Sequence, residues 1–200
     1  LAWLVLGQEG EVRSSFAKFL AGEEVDSIVR RMEAEPGDLM LFVADRAKIV
    51  NAALSKLRLE MGKRLELLDR RVLACCWVID FPLFEWNEDE KKIDFSHNPF
   101  SMPQGGMAAL EGDPLKVLGY QYDIVCNGEE LSSGAIRNHR PDVMYKAFEI
   151  AGYGKDEVEK RFGGMVNAFQ FGAPPHGGCA AGVDRIVMLL ADEANIREVI

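Results

Sequence analysis

The sequence predicts an α+β fold in two parts, and three observations carry that prediction. Helical and strand periodicities follow one another throughout the chain. An Asn127-Gly128 pair sits between two strand-like runs, which marks an antiparallel hairpin. A charged stretch at residues 63–71 separates two segments of different pattern. Antiparallel hairpins mixed with helices argue against a doubly wound parallel sheet.

The first part covers residues 1–69. Residues 1–6 read as a strand remnant. Val25, Ile28, Val29 and Met32 fall at helical spacing. Glu35-Pro-Gly-Asp38 forms a turn, and residues 39–44 a short apolar strand. Ile49, Ala53, Leu54 and Leu57 then place apolar residues on one face of a second helix. The boundary falls near residues 68–70.

The second part covers residues 70–200. Residues 72–79 are almost continuously apolar and predict a strand buried on both faces, ended by Phe81-Pro82. Residues 85–92 read as a charged turn. Residues 94–106 form a long loop rich in Pro and Gly, a kind that is more often functional than idle. Residues 118–125 and 130–138 are the hairpin strands. Residues 142–150 form a helix with Pro141 near its start and Gly152 after its end. Val158, Phe162, Met165, Val166 and Phe169 repeat at helical spacing. Residues 172–178 cannot be helical. Residues 179–182 form a small-residue strand leading into a helix at 183–192.

Of the 200 residues, 48% are hydrophobic and 28% charged, an ordinary globular mix, and the formal net charge is −9. Such an acidic chain has no overall basic footprint for a nucleic acid, so any RNA contact must be local. The apolar interior of residues 71–80 is far too short to span a bilayer. Cys75, Cys76, Cys126 and Cys179 form no C-x-x-C pair, which argues against zinc and for buried, reduced thiols in a cytosolic protein. The start at Leu1, without an initiator Met or a basic leader, reads as a cut within a domain. Residues 195–200 read as strand-like and likewise cut.

Four groups of residues carry candidate chemistry. Asp123 on the first hairpin strand and Glu130 at the start of the second suit an oxygen-ligated cation such as Mg²⁺. The same spacing is met by two solvated strand-edge charges. Arg137 suits a bidentate grip on a carboxylate. It lies seven residues beyond Glu130, on the opposite face of a regular strand, unless a bulge at residues 132–134 intervenes. A surface salt-bridge role is the alternative. In Gly177-Gly-Cys-Ala-Ala-Gly-Val-Asp-Arg185, small residues permit close approach of a ligand, and Arg185 in the first helical turn can join backbone N–H groups near an anion. A tightly packed strand with a structural Arg fits this pattern too. It is not a phosphate-binding P-loop. His97 lies in the long loop, where a ligand contact is credible. His176 orders its Pro-Pro turn, and His139 lies near the surface. No histidine has metal-ligand spacing with another.

Val78-Ile-Asp-Phe-Pro-Leu-Phe-Glu85, His97-Asn-Pro-Phe100, Tyr122-Asp-Ile-Val-Cys-Asn-Gly-Glu-Glu-Leu-Ser-Ser-Gly-Ala-Ile-Arg-Asn-His139 and Phe171-Gly-Ala-Pro-Pro-His-Gly-Gly-Cys-Ala-Ala-Gly-Val-Asp-Arg185 together resemble the bacterial aspartyl-tRNA synthetases. The last segment resembles motif 3 of class II synthetases. Residues 1–69 resemble the later part of the insertion domain of the bacterial aspartyl enzymes. The resemblance implies a class II antiparallel sheet flanked by helices, plus part of a small α+β insertion domain. It implies activation of L-aspartate by ATP and transfer to the 3′ end of tRNA(Asp), in a cytoplasmic homodimer. Arg137 and His97 would bind aspartate. Asp123 and Glu130 would hold Mg²⁺ on ATP, and Gly182, Val183, Asp184 and Arg185 would line the ATP site with Glu130. No residue would act as acid, base or nucleophile.

The sequence departs from the family pattern at Asn98, where a second histidine is usual, and at Ser132-Ser133, where glycines are usual. These departures bear on selectivity, and tRNA(Asn) is expected as a second substrate. Motif 1, motif 2 and the anticodon-binding barrel do not occur in these residues, so the 200 residues alone are expected not to complete adenylate formation. Two other readings are a tRNA- or partner-binding module without catalysis and a free-standing enzyme making an amide from aspartate. The joint presence of Asp123, Glu130, Arg137 and Arg185 favours the ligase over the module.

Overall fold

A computed structural model describes residues 1–69 and 71–200. Its contacts divide the chain into two compact units, Leu1–Asp69 and Arg70–Ile200. Residue 70, on which the sequence boundary falls, lies outside the described residues.

The first unit is a three-stranded antiparallel sheet with two helices. Strands β1 (Ala2–Leu6), β2 (Val12–Ser14) and β3 (Leu39–Phe42) take the order β2-β1-β3. Helix α1 (Gly22–Arg31) packs Val25 against Leu4 and Met40, with Phe16, Leu20, Val29 and Phe42 around them. Glu24 accepts the Ala21 N–H at 2.8 Å, and acids in the first turn with Arg30 and Arg31 in the last complement the helix dipole. The second helix, α2 (Ala47–Arg64), stands where the sequence places it, but it buries no residue. Ile49 and Leu54 are exposed, so the expected apolar face is not packed into the core of this unit.

The second unit is built on a four-stranded antiparallel sheet. Its strands are β4 (Cys75–Pro82), β7 (Leu118–Cys126), β8 (Glu129–Ile136) and β9 (Gly177–Ala181), in the order β4-β7-β8-β9. Asn127 and Gly128, both at positive φ, close the β7–β8 hairpin as the Asn-Gly signal predicts. A separate hairpin joins β5 (Phe84–Asn87) to β6 (Lys92–Phe95). Residues 85–92 were expected to be only a turn. They are instead half of this ribbon, with the five charged or polar residues at 87–91 at its tip. A short helix α3 (Gly106–Leu110) follows the long loop.

Helix α4 (Pro141–Ile150) has Pro at its first position. It ends with Gly152 at φ +87 and a Tyr153 N–H donating to the Phe148 carbonyl at 2.9 Å, the 6→1 bond of a Schellman cap. Helix α5 (Lys155–Gln170) packs on it. Phe148 of α4 lies at the centre of an aromatic cluster, 5.0 Å from Phe95, 5.6 Å from Phe162 and 5.9 Å from both Phe100 and Tyr153, ring to ring. A second group of buried residues, Leu83, Phe84, Leu110, Val117, Val143, Ala147 and Ala151, binds the β5–β6 ribbon to α3 and α4. Helix α6 (Val183–Leu190) follows β9.

Three expectations are corrected here. Strand β4 is not buried on both faces: Trp77, Val78 and Ile79 are exposed. It is an edge strand whose neighbour is β7, and helices α4 and α5 pack elsewhere, so apolar composition marks the strand without supplying a cover. Of the four thiols only Cys126 is buried; Cys75, Cys76 and Cys179 are exposed for the same reason. Burial pushes the Cys126 thiol upward, reinforced by a hydrogen bond with Cys75, its cross-strand partner. Finally, residues 196–198 form a turn of 3₁₀ helix, capped by the Asn195 side chain, where a strand was expected.

Candidate functional site

The site is set by the register of the β7–β8 hairpin. Asp123 faces Ser133, and Ile124 faces Ser132, but Val125 faces Glu130. Leu131 is therefore an extra residue in β8, a bulge that shifts the alternation of side chains by one. Its consequence is geometric. Seven residues separate Glu130 from Arg137, and a regular strand would set them on opposite faces. The bulge brings both to the face that carries Asp123 and Gln121. Its carbonyl accepts the Gly182 N–H at 2.7 Å, which fastens the start of α6 to the same irregularity.

The sequence allowed for a bulge at residues 132–134, with Gly134 as the candidate; it lies at Leu131 instead. Gly134 serves another purpose. A Cβ there would collide with the Gly178 carbonyl, the Tyr122 ring and Cys179 Cβ, so glycine permits the close approach of β8 and β9.

Above this face lies a cleft of about 550 Å³. His97, Asp123, Glu130 and Arg137 all line it, together with Phe81, Asn98, Gln121, Ser133 and His176. Asp123 and Glu130 are diagonal neighbours across the ladder, about 7–8 Å apart at the backbone. The long loop that brings His97 is sewn to the sheet. Met102 N–H donates to the Ile136 carbonyl at 2.8 Å, Gln104 N–H to Leu118 at 2.8 Å, and Gln121 Nε2 to Asn98 at 3.2 Å. The His97 ring meets Phe81 edge-on at 5.2 Å. Phe81 itself is turned in by a break in the β4–β7 register beside Asp80, whose φ is +60.

The Arg137 guanidinium lies over the Phe100 ring at 5.4 Å. Among the described residues, no carboxylate pairs with it and no side-chain acceptor takes its hydrogen bonds, and the Asp123 carboxylate likewise has no side-chain partner. Arg185 does not line the cleft but reaches Glu130, which does. Its Nη1 donates to the Glu130 carbonyl at 2.8 Å and lies 3.3 Å from Glu130 Oε1. Gly182 caps α6 beside it, but Gly182, Val183 and Asp184 are not among the residues lining the cleft, and Val183 is 66% exposed. His176 orders its turn as expected, with Nδ1 2.9 Å from the Pro174 carbonyl, and its own carbonyl accepts the Arg137 N–H at 2.8 Å. His139 is half-buried and lies outside the cleft lining.

Gln121 and Phe81 were not singled out from sequence as site residues, and Ser133 only as a departure from the family's glycines. Gln121 stands two residues before Asp123, so strand alternation places it on the acid's face, and that spacing is the signal that could have found it; in the structure it is buried.

This arrangement offers two carboxylates for a hard cation, an uncommitted guanidinium for a carboxylate, and a second Arg for phosphate. No helix of the described residues is long and apolar enough to cross a membrane. An aspartate–tRNA(Asp/Asn) ligase from Dinoroseobacter shibae is 60% identical over 99% of this chain and 33% of its own length. An aspartate–tRNA ligase from Streptomyces avermitilis is 57% identical over the whole chain and 34% of its own length. The solved aspartyl tRNA synthetase from Entamoeba histolytica aligns with 90% of this chain and 30% of its own, at 24% identity and a TM-score of 0.48. The chain thus spans about a third of the length of the curated relatives it matches. Residues 11–200 match the family model of the tRNA synthetases class II (D, K and N), and the chain belongs to that family.

Proposed function

We propose that the chain is the motif 3 half of the catalytic domain of an aspartate–tRNA ligase, preceded at residues 1–69 by the later part of its insertion domain. The observation that carries this reading is the uncommitted Arg137 guanidinium, brought by the Leu131 bulge onto one face with Asp123 and Glu130. An Arg fork beside a cation site suits a substrate that bears a side-chain carboxylate and reacts with a nucleotide.

In the reaction proposed, an α-carboxylate oxygen of L-aspartate attacks the α-phosphorus of ATP in line, the bond to the β-phosphate breaks, and pyrophosphate leaves. The terminal hydroxyl of the tRNA then attacks the aspartyl carbonyl and releases AMP. Arg137 grips the side-chain carboxylate, and His97 closes that end of the cleft. Asp123 and Glu130 fit a magnesium ion, being two oxygen donors on one face with room for phosphate and water ligands. Such an ion supplies charge neutralisation on the phosphates. Arg185 reaches phosphate and base from beside Glu130, and α6 begins at Gly182, Val183 and Asp184 alongside it. No side chain needs to donate or take a proton, because positioning and charge carry the step.

The test is ATP–pyrophosphate exchange by the complete reading frame with aspartate, asparagine or lysine as the amino acid. Exchange that requires aspartate supports the proposal; exchange with only asparagine or lysine, or none from a folded protein, removes it. A D. shibae relative is named for both tRNA(Asp) and tRNA(Asn), and Asn98 stands where the family pattern has a second histidine. Both purified tRNAs are therefore expected to accept aspartate in charging assays. Acceptance by tRNA(Asp) alone would refute the dual specificity. The parent protein is proposed to act as a cytoplasmic homodimer, to be checked by its mass in solution.

A further inference from the structure

We infer that Phe100 is a positioning residue for Arg137 and thereby helps set the affinity for the amino acid; the inference rests on the proposed role of Arg137. Three observations converge on it. The Phe100 ring lies under the Arg137 guanidinium at 5.4 Å, and among the described residues no side chain makes a hydrogen bond or ion pair with that charged group. The ring is itself immobilised from beneath, edge-on to Phe162 at 5.0 Å and tilted on Phe148 at 5.9 Å. The backbones are tied as well. The Phe100 carbonyl accepts the Asn138 N–H at 2.7 Å, and Ser101 forms a β-bridge with Arg137.

An Arg side chain has four rotatable bonds, and a half-buried guanidinium without a hydrogen-bond partner would still sample several rotamers. Ordering it on substrate binding costs entropy. An aromatic ring beneath a guanidinium attracts the cation and narrows the positions it samples, while its N–H groups stay available to a carboxylate. The aromatic cluster of α4 and α5 thus does more than fill a core: it orients the grip in advance. Phe100 does not touch the reacting atoms.

The experiment uses the complete protein, with separate KM values for aspartate and ATP in pyrophosphate exchange and a thermal melt for each variant. Phe100→Leu keeps apolar bulk and removes the ring. It is expected to raise the aspartate KM about tenfold, the equivalent of about 1.4 kcal/mol, with the ATP KM unchanged. Phe100→Tyr restores the aspartate KM. Phe148→Leu is the control: it loosens the same cluster but leaves the Phe100 ring in place against Phe162, so it lowers the melting temperature while moving the aspartate KM by much less than Phe100→Leu does. An aspartate KM unchanged in Phe100→Leu, or one that shifts equally in Phe148→Leu, overturns the inference. Should Phe100→Leu not fold, the comparison passes to Phe100→Met, with the same criteria. Arg137→Ala separates the two claims. If Arg137→Ala raises the aspartate KM and Phe100→Leu does not, only the positioning role falls; if neither does, the carboxylate grip itself falls.

Discussion

Replacing Arg137 with alanine in the complete reading frame is expected to reduce aspartate-dependent pyrophosphate exchange by about 100-fold to several thousand-fold. The estimate follows from leaving a desolvated substrate carboxylate without its partner, which costs about 3–5 kcal/mol, at about 1.4 kcal/mol per tenfold. The loss is expected to fall on the aspartate terms, since the proposed ATP contacts are Arg185, Asp123 and Glu130 rather than Arg137. Arg137→Lys should recover only a small part, because an ammonium cannot present two parallel N–H groups to one carboxylate. No protein carboxylate pairs with Arg137 among the described residues, so its removal orphans no internal charge and the fold should survive. Steady-state exchange at varied aspartate, with a melt to verify folding, decides it. A folded Arg137→Ala protein with wild-type aspartate kinetics would mean that the guanidinium serves another purpose.

The largest effect on stability is expected at Phe148. It is 4% exposed and meets Phe95, Phe100, Tyr153 and Phe162. Truncation to alanine removes a whole ring from a site walled by other rings. These cannot collapse into the space, because each is fixed by its own strand, loop or helix. Phe→Ala changes in such sites cost about 3–5 kcal/mol, which is a large share of the roughly 5–15 kcal/mol that holds a typical domain together. Urea unfolding followed by tryptophan fluorescence should show the midpoint falling in proportion. A loss under about 1 kcal/mol would show that the cluster is loosely packed, contrary to its ring geometry.

Where the sequence was sufficient, the determinant was local. The Asn127-Gly128 turn needs positive φ at two residues, which that pair tolerates, so the β7–β8 hairpin was readable from four residues. Pro141 and Gly152 bracket α4 because each has a backbone restriction or freedom of its own. The β5–β6 ribbon was missed although Phe84, Trp86, Ile93 and Phe95 alternate with polar residues at period two. The acids and lysines at its tip outweighed four short-range apolar positions. Strand β4 was misread in the other direction. Its apolar run is real, but burial is a property of the neighbours, and no run of residues states which neighbours it has.

The site divides in the same way. Residue chemistry made Asp123, Glu130, Arg137, His97 and Arg185 candidates beside ordinary surface and structural roles, and the family resemblance chose between them. Their convergence was beyond the sequence. It depends on whether β8 gains one residue against β7, a matter of one backbone pairing energy against another, and on the Gly182 N–H that takes up the Leu131 carbonyl. Likewise, Phe100 is 37 residues from Arg137 along the chain and reads as one more apolar residue in a loop. Side-chain chemistry and turn preference are properties of single residues and their neighbours, so the amino-acid sequence by itself determined them here. Register, face and the ring beneath the guanidinium arise from pairings between distant segments, and those only the tertiary structure decided.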